Sequence, residues 1–150
     1  MRIAIGADHG GYELKEAVKV YLEGKMYKVR DYGTDSKESV DYPDFGLKVA
    51  EAVAKGEAET GILICTTGIG QSITANKVPG IRAALCLNKD QAEFSRLHNN
   101  ANVIVFGARY TDEDKVKGMI DVYLTTGFDG GRHQKRLDKI TEIEKKYGIK

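Results

Sequence analysis

The residues of this sequence best suited to chemistry lie between Gly61 and Gly70. An apolar run, Ile62–Ile64, has the length and branching of a buried parallel strand and ends at Cys65. A loop of Thr66, Thr67, Gly68, Ile69 and Gly70 follows, and then a predicted helix over 71–78. Unpaired backbone N–H groups between a strand and a helix suit an anion such as phosphate. The segment therefore predicts an anion-binding loop.

The same geometry favours the thiolate form of Cys65, which makes it a candidate for proton transfer or nucleophilic attack on a small phosphorylated molecule. A buried structural thiol is the alternative, because cysteines at strand ends are often small core residues. Known phosphate loops do not fit. Ile73 stands where the dinucleotide fingerprint needs a third glycine, no Walker lysine follows, and Gln71 occupies the arginine position of cysteine-dependent phosphatases.

The elements that must position this loop alternate along the chain. Strands are predicted at Ile3–Ile5, Lys28–Asp31, Gly61–Ile64, Ala83–Leu87 and Val103–Phe106, and helices near Tyr12–Leu22, Asp44–Ala54, Gln71–Val78, Gln91–Asn99 and Asp112–Thr126. Gly24 and Gly56 are expected to end helices, and Asn88 with Gln91 to cap one. Strict alternation predicts a single α/β domain over 1–150, a three-layer α/β/α Rossmann-like fold with a five-stranded parallel sheet.

A last helix is predicted over 134–147, appended after the final strand. Its narrow apolar stripe consists of Leu137, Ile140, Ile143 and Tyr147. The stripe suits either packing on its own sheet or contact with a second subunit, and both interpretations stay open.

Composition excludes several classes of function. The 150 residues include 23 basic and 22 acidic side chains, so nothing attracts nucleic acid or a membrane surface broadly. The two cysteines, Cys65 and Cys86, form no disulfide framework, and Cys86 is expected to be an inert core residue. No signal peptide is recognised before Ile3, and no apolar stretch approaches the ~20 residues that span a bilayer. We expect a cytoplasmic protein.

Ligands of parallel sheets bind at the carboxyl ends of the strands. The predicted strand ends carry Asp8-His9-Gly10-Gly11 after the first strand, Cys65 to Gly70 after the third and Gly107-Ala108-Arg109 after the fifth. A carboxylate, an imidazole, a thiol beside amide donors and a guanidinium would together suit a phosphorylated sugar.

The chain resembles ribose-5-phosphate isomerase type B, within a wider family that includes galactose-6-phosphate isomerase subunits. The resemblance runs nearly end to end and rests on Asp8-His9-Gly10-Gly11, Asp41-Tyr42-Pro43, the Cys65 loop, Ala75-Asn76-Lys77, Gly80-Ile81-Arg82-Ala83, His98-Asn99, Asn102-Val103 and Gly130-Gly131-Arg132-His133. Thr66 departs from it, since the family usually has glycine there. The pairing of His98-Asn99 with Gly131-Arg132-His133 is closer to the ribose enzyme than to the galactose one.

The resemblance implies an aldose–ketose isomerase of the pentose phosphate pathway. Cys65 would move the proton between C1 and C2 through an enediol(ate), and His98, aided by Asp8, would open the furanose ring. Thr67 and the amides of Thr66, Thr67, Gly68, Ile69 and Gly70 would hold the enediolate oxygens, His9, Arg109, Arg132 and Arg136 the phosphate, and Asn99 the sugar. No metal or organic cofactor is expected, because the three histidines show no short metal-binding spacing.

Two alternatives stay open. One is an isomerase of a six-carbon sugar phosphate, allose 6-phosphate or galactose 6-phosphate, and the other is a non-catalytic sugar-phosphate-binding module. Chain direction adds an expectation about assembly. His98 ends a helix that returns to the opposite edge of the sheet, ~15–20 Å from Cys65 of its own chain. The site is therefore expected to be shared between subunits of a homodimer, or of a dimer of dimers.

Overall fold

The computed structural model describes residues 1–148, so the last two residues of the predicted domain lie outside the described part. The strands are β1 (Arg2–Ala7), β2 (Lys28–Asp31), β3 (Thr60–Cys65), β4 (Ala83–Leu85) and β5 (Val103–Gly107). The helices are α1 (Tyr12–Gly24), α2 (Tyr42–Ala54), α3 (Ile69–Ala75), α4 (Lys89–Leu97), α5 (Glu113–Thr125) and α6 (Arg132–Tyr147), with a 3-10 turn at Ala108–Tyr110.

The five strands form one sheet in the order β2-β1-β3-β5-β4, and every neighbouring pair is parallel. This confirms the predicted parallel α/β fold. The sequence did not predict the strand order. The order places β1, β3 and β5 side by side, so the loops that follow these three strands meet at the carboxyl edge of the sheet.

Alternate residues of the strands fill two separate cores. Ile62 and Ile64 of β3 pack with α1, α4 and α5 on one face, where Leu22 and Ile120 are fully buried. Leu63 packs on the other face against α2 and α3. Both faces of the sheet are covered, which explains why the strand sequences are continuous apolar runs. The predicted three-layer architecture is confirmed.

Several element boundaries differ from those predicted. Helix α3 begins two residues early because Gly68, at φ 81°, turns the chain directly into it. It ends at Ala75 because the side chain of Asn76 exchanges two hydrogen bonds with the backbone of Ala83. Strand β4 stops at Leu85, two residues short of the prediction, and pairs with β5 at the edge of the sheet.

The predicted helix ends were right at one glycine and wrong at the other. Gly56 adopts φ 77° just after α2, as expected. Gly24 is still helical, and Met26 takes the left-handed position with φ 69°. The capping pair is confirmed, because Asn88 accepts a hydrogen bond from the Gln91 amide at 2.8 Å.

Within residues 1–148, no helix is long and apolar enough to cross a membrane.

Candidate functional site

One group of predicted site residues assembles at the carboxyl edge of the sheet. We call the loops Asp8–Gly11 and Cys65–Gly70, together with Arg109, the carboxyl-edge half-site. The Asp8 amide donates to the Ile64 carbonyl at 3.3 Å, and the Arg109 amide donates to the Thr66 carbonyl at 2.9 Å. These bonds hold the three loops side by side, as the strand-end argument predicted.

Cys65 is the last residue of β3 and is 4% exposed. Its Sγ accepts a hydrogen bond from the Gly68 amide at 3.0 Å. A donor aimed at sulfur stabilises negative charge there, which suits a thiolate base. Gly68 can make this turn because it has no side chain: a Cβ there would lie 2.5 Å from Cδ1 of Leu85, and its φ of 81° favours glycine.

Asp8 and His9 are fixed by backbone donors. The buried Asp8 carboxylate accepts hydrogen bonds through Oδ1 from the amides of Gly10 and Gly11, at 3.0 and 3.2 Å. His9 accepts the Val40 amide at Nδ1, at 3.1 Å. A neutral imidazole whose Nδ1 accepts must carry its proton on Nε2. His9 therefore offers an N–H donor suited to an anionic ligand.

The loop after Cys65 keeps several amide donors. The Ser72 amide, bonded to the Gly68 carbonyl at 3.0 Å, makes the first helical bond of α3, so the amides of Gly70 and Gln71 precede the helical ladder. Thr67 Oγ1 accepts from the Ile69 amide at 3.3 Å. This arrangement fits the predicted oxyanion loop.

Threonine fits at position 66 without backbone strain. Positive φ at non-glycine positions of residues 1–148 occurs at Met26 and Asn100, and not at Thr66. Room for the threonine comes from Gly10, where any side chain would overlap Thr66 Oγ1. The departure from the family's glycine is thus accommodated by the neighbouring loop.

A second group, which we call the amino-edge half-site, consists of the predicted site residues His98, Asn99, Arg132 and Arg136 together with His133. His98 is the C-cap of α4, and its ring stacks on His133 with centroids 4.1 Å apart and planes 11° apart. Phe94 packs against the His98 ring at 4.7 Å. The first turn of α6 carries Arg132 and His133, so the structure brings the ends of two helices together.

This second group lies at the opposite edge of the sheet. The Arg82 guanidinium, immediately before β4, donates to the carbonyls of Asn99 and Asn100 at 3.0 and 3.1 Å. The five residues of β5 span roughly 13 Å between the two edges at about 3.3 Å per residue. Within one chain, His98 and Cys65 are therefore on opposite edges, as the direction of α4 predicted.

The structure also gathers a group that spacing along the chain did not indicate. Ligand atoms of His98, Asp129 and His133 lie within 4.8 Å of one another, which is close enough to consider a metal ion. Zinc binds imidazole nitrogens through their in-plane lone pairs at about 2.0 Å. The two rings are stacked nearly parallel, so their lone pairs do not converge on one ion. The geometry suits stacking better than shared ligation, and the absence of a metal stays a prediction.

Comparison with known proteins identifies the family. The family model described as Ribose/Galactose Isomerase matches residues 3–140. Ribose-5-phosphate isomerase B of Escherichia coli is 46% identical over 145 residues, which cover 97% of each protein. The chain belongs to the Ribose/Galactose Isomerase family.

Solved structures of this family agree with the fold. Ribose-5-phosphate isomerase B of Clostridium thermocellum is 55% identical and superposes with a TM-score of 0.98 over 99% of this chain and 100% of its own. The Mycoplasma genitalium enzyme, solved with bound ribulose 5-phosphate, is 40% identical with a TM-score of 0.93 over 96% of each chain. The resemblance inferred from the motifs is confirmed.

Sequence reasoning missed two contributors to the site of this family member. Tyr42 begins α2, and its ring packs so closely on Gly70 that a Cβ there would lie 2.5 Å from the ring. Arg82 holds the turn that carries Asn99, because its guanidinium donates to the Asn99 carbonyl. Gly70 itself was the available signal, since glycine marks a close approach.

Cys86 behaves as the core residue that was expected. It is 2% exposed, and burial raises the pKa of its thiol to about 11. At neutral pH this thiol keeps its proton, which disfavours Cys86 as a nucleophile or a base.

Proposed function

We propose that this protein interconverts ribose 5-phosphate and ribulose 5-phosphate through an enediol(ate). Relatives that match nearly its whole length bear the name ribose-5-phosphate isomerase B, and one was solved with ribulose 5-phosphate bound. The observation that best supports this chemistry is the hydrogen bond from the Gly68 amide to the Cys65 sulfur, at the edge of the sheet where the loop amides lie.

Cys65 is the proposed general base. As a thiolate it removes the proton from C2 of the open-chain aldose, and the C1 carbonyl oxygen takes the negative charge. The amides of the loop after Cys65 stabilise that oxyanion, with Thr67 beside them. The cysteine then returns the proton to C1, while the proton of the C2 hydroxyl passes to the C1 oxygen, so that C1 becomes a hydroxymethyl group and C2 the ketone. The reaction moves hydrogen within one molecule and needs no external oxidant or reductant.

We infer that the two half-sites of different subunits form each complete site in a homodimer. In this scheme His98, aided by Asp8, opens the furanose ring that Cys65 of the other subunit then isomerises, and Asn99 binds the sugar. The two edges of one chain are too far apart to act on one small ligand. A two-fold dimer would complete two equivalent sites.

The surface of α6 supports this dimer. Of its predicted apolar stripe, Leu137 is buried, whereas Ile140, Ile143 and Tyr147 are 44%, 57% and 76% exposed. These side chains border a mainly apolar groove of about 750 Å³ beside β4. Exposed apolar area of this kind favours contact with a second copy, and a dimer of dimers stays a further prediction.

The phosphate is proposed to lie between the half-sites. His9 and Arg109 would reach it from the carboxyl edge of one subunit, and Arg132 and Arg136 from α6 of the other. Arg109, Arg132 and Arg136 are exposed in the single chain, which leaves their guanidinium groups available to an anion. A place in the pentose phosphate pathway follows from the proposed substrate. A cytoplasmic location is supported by the two free thiols.

The decisive experiment is an assay of aldose and ketose phosphates after prolonged dialysis against EDTA. We expect ribose 5-phosphate and ribulose 5-phosphate to interconvert at an unchanged rate and six-carbon phosphates to react more slowly. A higher kcat/KM for allose 6-phosphate or galactose 6-phosphate than for ribose 5-phosphate would show that a six-carbon sugar phosphate is the preferred substrate. Binding without turnover would favour the sugar-phosphate-binding module, and loss of activity restored by a divalent ion would overturn the metal-free mechanism.

A further inference from the structure

His98 is held between two aromatic rings. His133 stacks on one side with centroids 4.1 Å apart and planes 11° apart, and Phe94 packs against it at 4.7 Å with the planes tilted by 54°. An imidazole that must give a proton to a sugar oxygen has to keep one orientation, because a misplacement of about 1 Å can lower a rate by about 100-fold. Stacked neighbours restrict the rotation of such a ring.

The backbone around His133 is built to place its ring there. Gly130 and Gly131, with φ 66° and 55°, turn the chain into α6. The Asp129 amide donates to the Leu97 carbonyl at 3.1 Å, which joins this turn to the end of α4 next to His98. His133 is 8% exposed although Arg132 and Gln134 on either side are exposed. The chain thus buries one polar ring against another.

We propose that His133 is a positioning residue, whose ring, stacked on His98, fixes the plane of the His98 imidazole for opening the furanose ring of the substrate. This inference rests on the proposed role of His98. It gives His133 a function that acts through its stacking on His98.

The charges around the pair agree with this assignment. Removal from water lowers the pKa of His133, and the charges of His98, Arg132 and Arg136 lower it further, while Asp129 acts in the opposite direction. Two cationic rings 4.1 Å apart would repel each other. The lowered pKa favours the neutral form of His133, which can stack on His98 without this repulsion.

The test compares two substrates of the dimeric enzyme. Ribose 5-phosphate is largely a closed furanose, whereas ribulose 5-phosphate cannot close such a ring because its C5 oxygen is esterified. Only the first substrate needs ring opening. We would measure kcat and KM for both in His133→Phe and His133→Leu, a matched pair in which phenylalanine keeps a flat ring and leucine fills similar space without one.

We expect His133→Leu to lower kcat/KM for ribose 5-phosphate by about 10- to 100-fold. Activity on ribulose 5-phosphate should stay close to the wild-type value, and His133→Phe should restore most of the loss. An equal loss on both substrates in a leucine variant that unfolds at the wild-type temperature, or no difference between leucine and phenylalanine, would overturn the proposal.

The variant His98→Ala tests the ring-opening role of His98, on which the proposal for His133 rests. If His98→Ala is itself not selective for the cyclic substrate, the ring-opening role of His98 fails. If His98→Ala is selective and His133→Leu is not, His98 keeps its role and the positioning role of His133 is wrong. Thermal unfolding of each variant shows whether a loss on both substrates comes from a damaged fold, in which case the His133→Phe result decides whether stacking matters.

Discussion

The two half-sites are built from different parts of the polypeptide. At the carboxyl edge, backbone amides make the decisive contacts: Gly68 with Cys65 Sγ, Gly10 and Gly11 with Asp8, and Val40 with His9. At the amino edge, the contacts are made by side chains at the ends of α4 and α6. These are the stacked rings of His98 and His133 and the arginines beside them.

The difference between backbone donors at one edge and side chains at the other indicates how the proposed catalytic tasks are divided between the two half-sites. Backbone donors are fixed by the sheet and need no reorganisation, which suits stabilisation of charge that develops during the proton transfer. Side chains at helix ends can extend across an interface to another subunit, which suits binding the phosphate and opening the furanose ring of the substrate. The carboxyl-edge half-site should therefore control kcat, and the arginines of the amino-edge half-site should control KM.

The largest effect is expected at Cys65. Cys65→Ala should lower kcat by several orders of magnitude for both ribose 5-phosphate and ribulose 5-phosphate, with little change in substrate affinity, because the thiol acts mainly in the transition state. Exchange of the C2 proton with solvent, followed by NMR in deuterated water, should disappear in parallel. Near-normal turnover would show that Cys65 is not the base.

Cys86 provides the matched control for this experiment. Its thiol is buried, with a pKa of about 11, and Sγ donates to the Ala84 carbonyl at 3.6 Å. Cys86→Ala should keep most of the activity, and iodoacetamide should modify the wild-type and Cys86→Ala proteins at one site that sugar phosphate protects. Modification of Cys86 in the Cys65→Ala protein would contradict the difference in reactivity between the two thiols.

A smaller effect is expected at the arginines of α6. Arg132→Ala or Arg136→Ala should raise KM for phosphorylated sugars by about 10- to 100-fold, since each charge-assisted bond contributes about 1.5–3 kcal/mol. Inorganic phosphate should compete with substrate in the wild type and more weakly in the variants. Lys135→Ala, an exposed neighbour on the same helix, is the control. Equal effects on the unphosphorylated sugar would argue against a phosphate contact.

The carboxyl-edge half-site was the easier half to predict from sequence, for a physical reason. Carboxyl ends of parallel strands share one edge, so Asp8, Cys65 and Arg109 could be placed together before the strand order was known. Chain direction likewise placed His98 at the far edge. The resemblance supplied the roles of these residues, which spacing alone could not give.

The contacts that sequence could not provide are those between elements distant along the chain. The stack of His98 on His133 depends on how the turn at Gly130 and Gly131 docks on α4, which no local pattern encodes. The left-handed residue after α1 is Met26, although Gly24 was the expected one, because the chain turns two residues later than the glycine. The amides of Met26 and Tyr27 close this turn by donating to the carbonyls of Glu23 and Leu22, at 3.0 and 3.2 Å.

Subunit mixing should produce an effect of intermediate size. Cys65→Ala and His98→Ala proteins should each be nearly inactive on cyclic ribose 5-phosphate. Refolded together, about half of the dimers would be mixed and would hold one intact site, so activity should recover to roughly a quarter of the wild type. No recovery, with mixed dimers detected by mass spectrometry, would place both residues in one subunit's site.

The control for mixing uses two variants of the same half-site. Gly68→Ala and Cys65→Ala both damage the carboxyl edge, and a Cβ at Gly68 would meet Leu85 and the backbone of Phe106. Mixed dimers of these two proteins would contain no intact site, so activity should not recover. Recovery in this pair would mean that exchange of subunits rescues folding and not a shared site.

The smallest expected effect concerns the packing beneath the carboxyl-edge half-site. Gln71 is fully buried, and neither polar atom of its side chain has a hydrogen-bond partner among residues 1–148. Leaving such a group unpaired costs about 1–3 kcal/mol. Gln71→Met, of similar length, should therefore raise the melting temperature by roughly 2–4 °C for each kcal/mol gained, measured by calorimetry.

Gln71→Glu keeps the size of the side chain and adds a charge, so it should lower the melting temperature, because burying an unpaired carboxylate is costlier than burying an amide. If Gln71→Met instead destabilises the protein, the amide must hold a polar partner, such as a buried water, in the space between α2 and α3. Polar support would then extend from the backbone of the carboxyl-edge half-site into the helix layer below it. If the methionine variant is more stable, the polar contacts that position this half-site end at the loop amides, and the layer below contributes by packing alone.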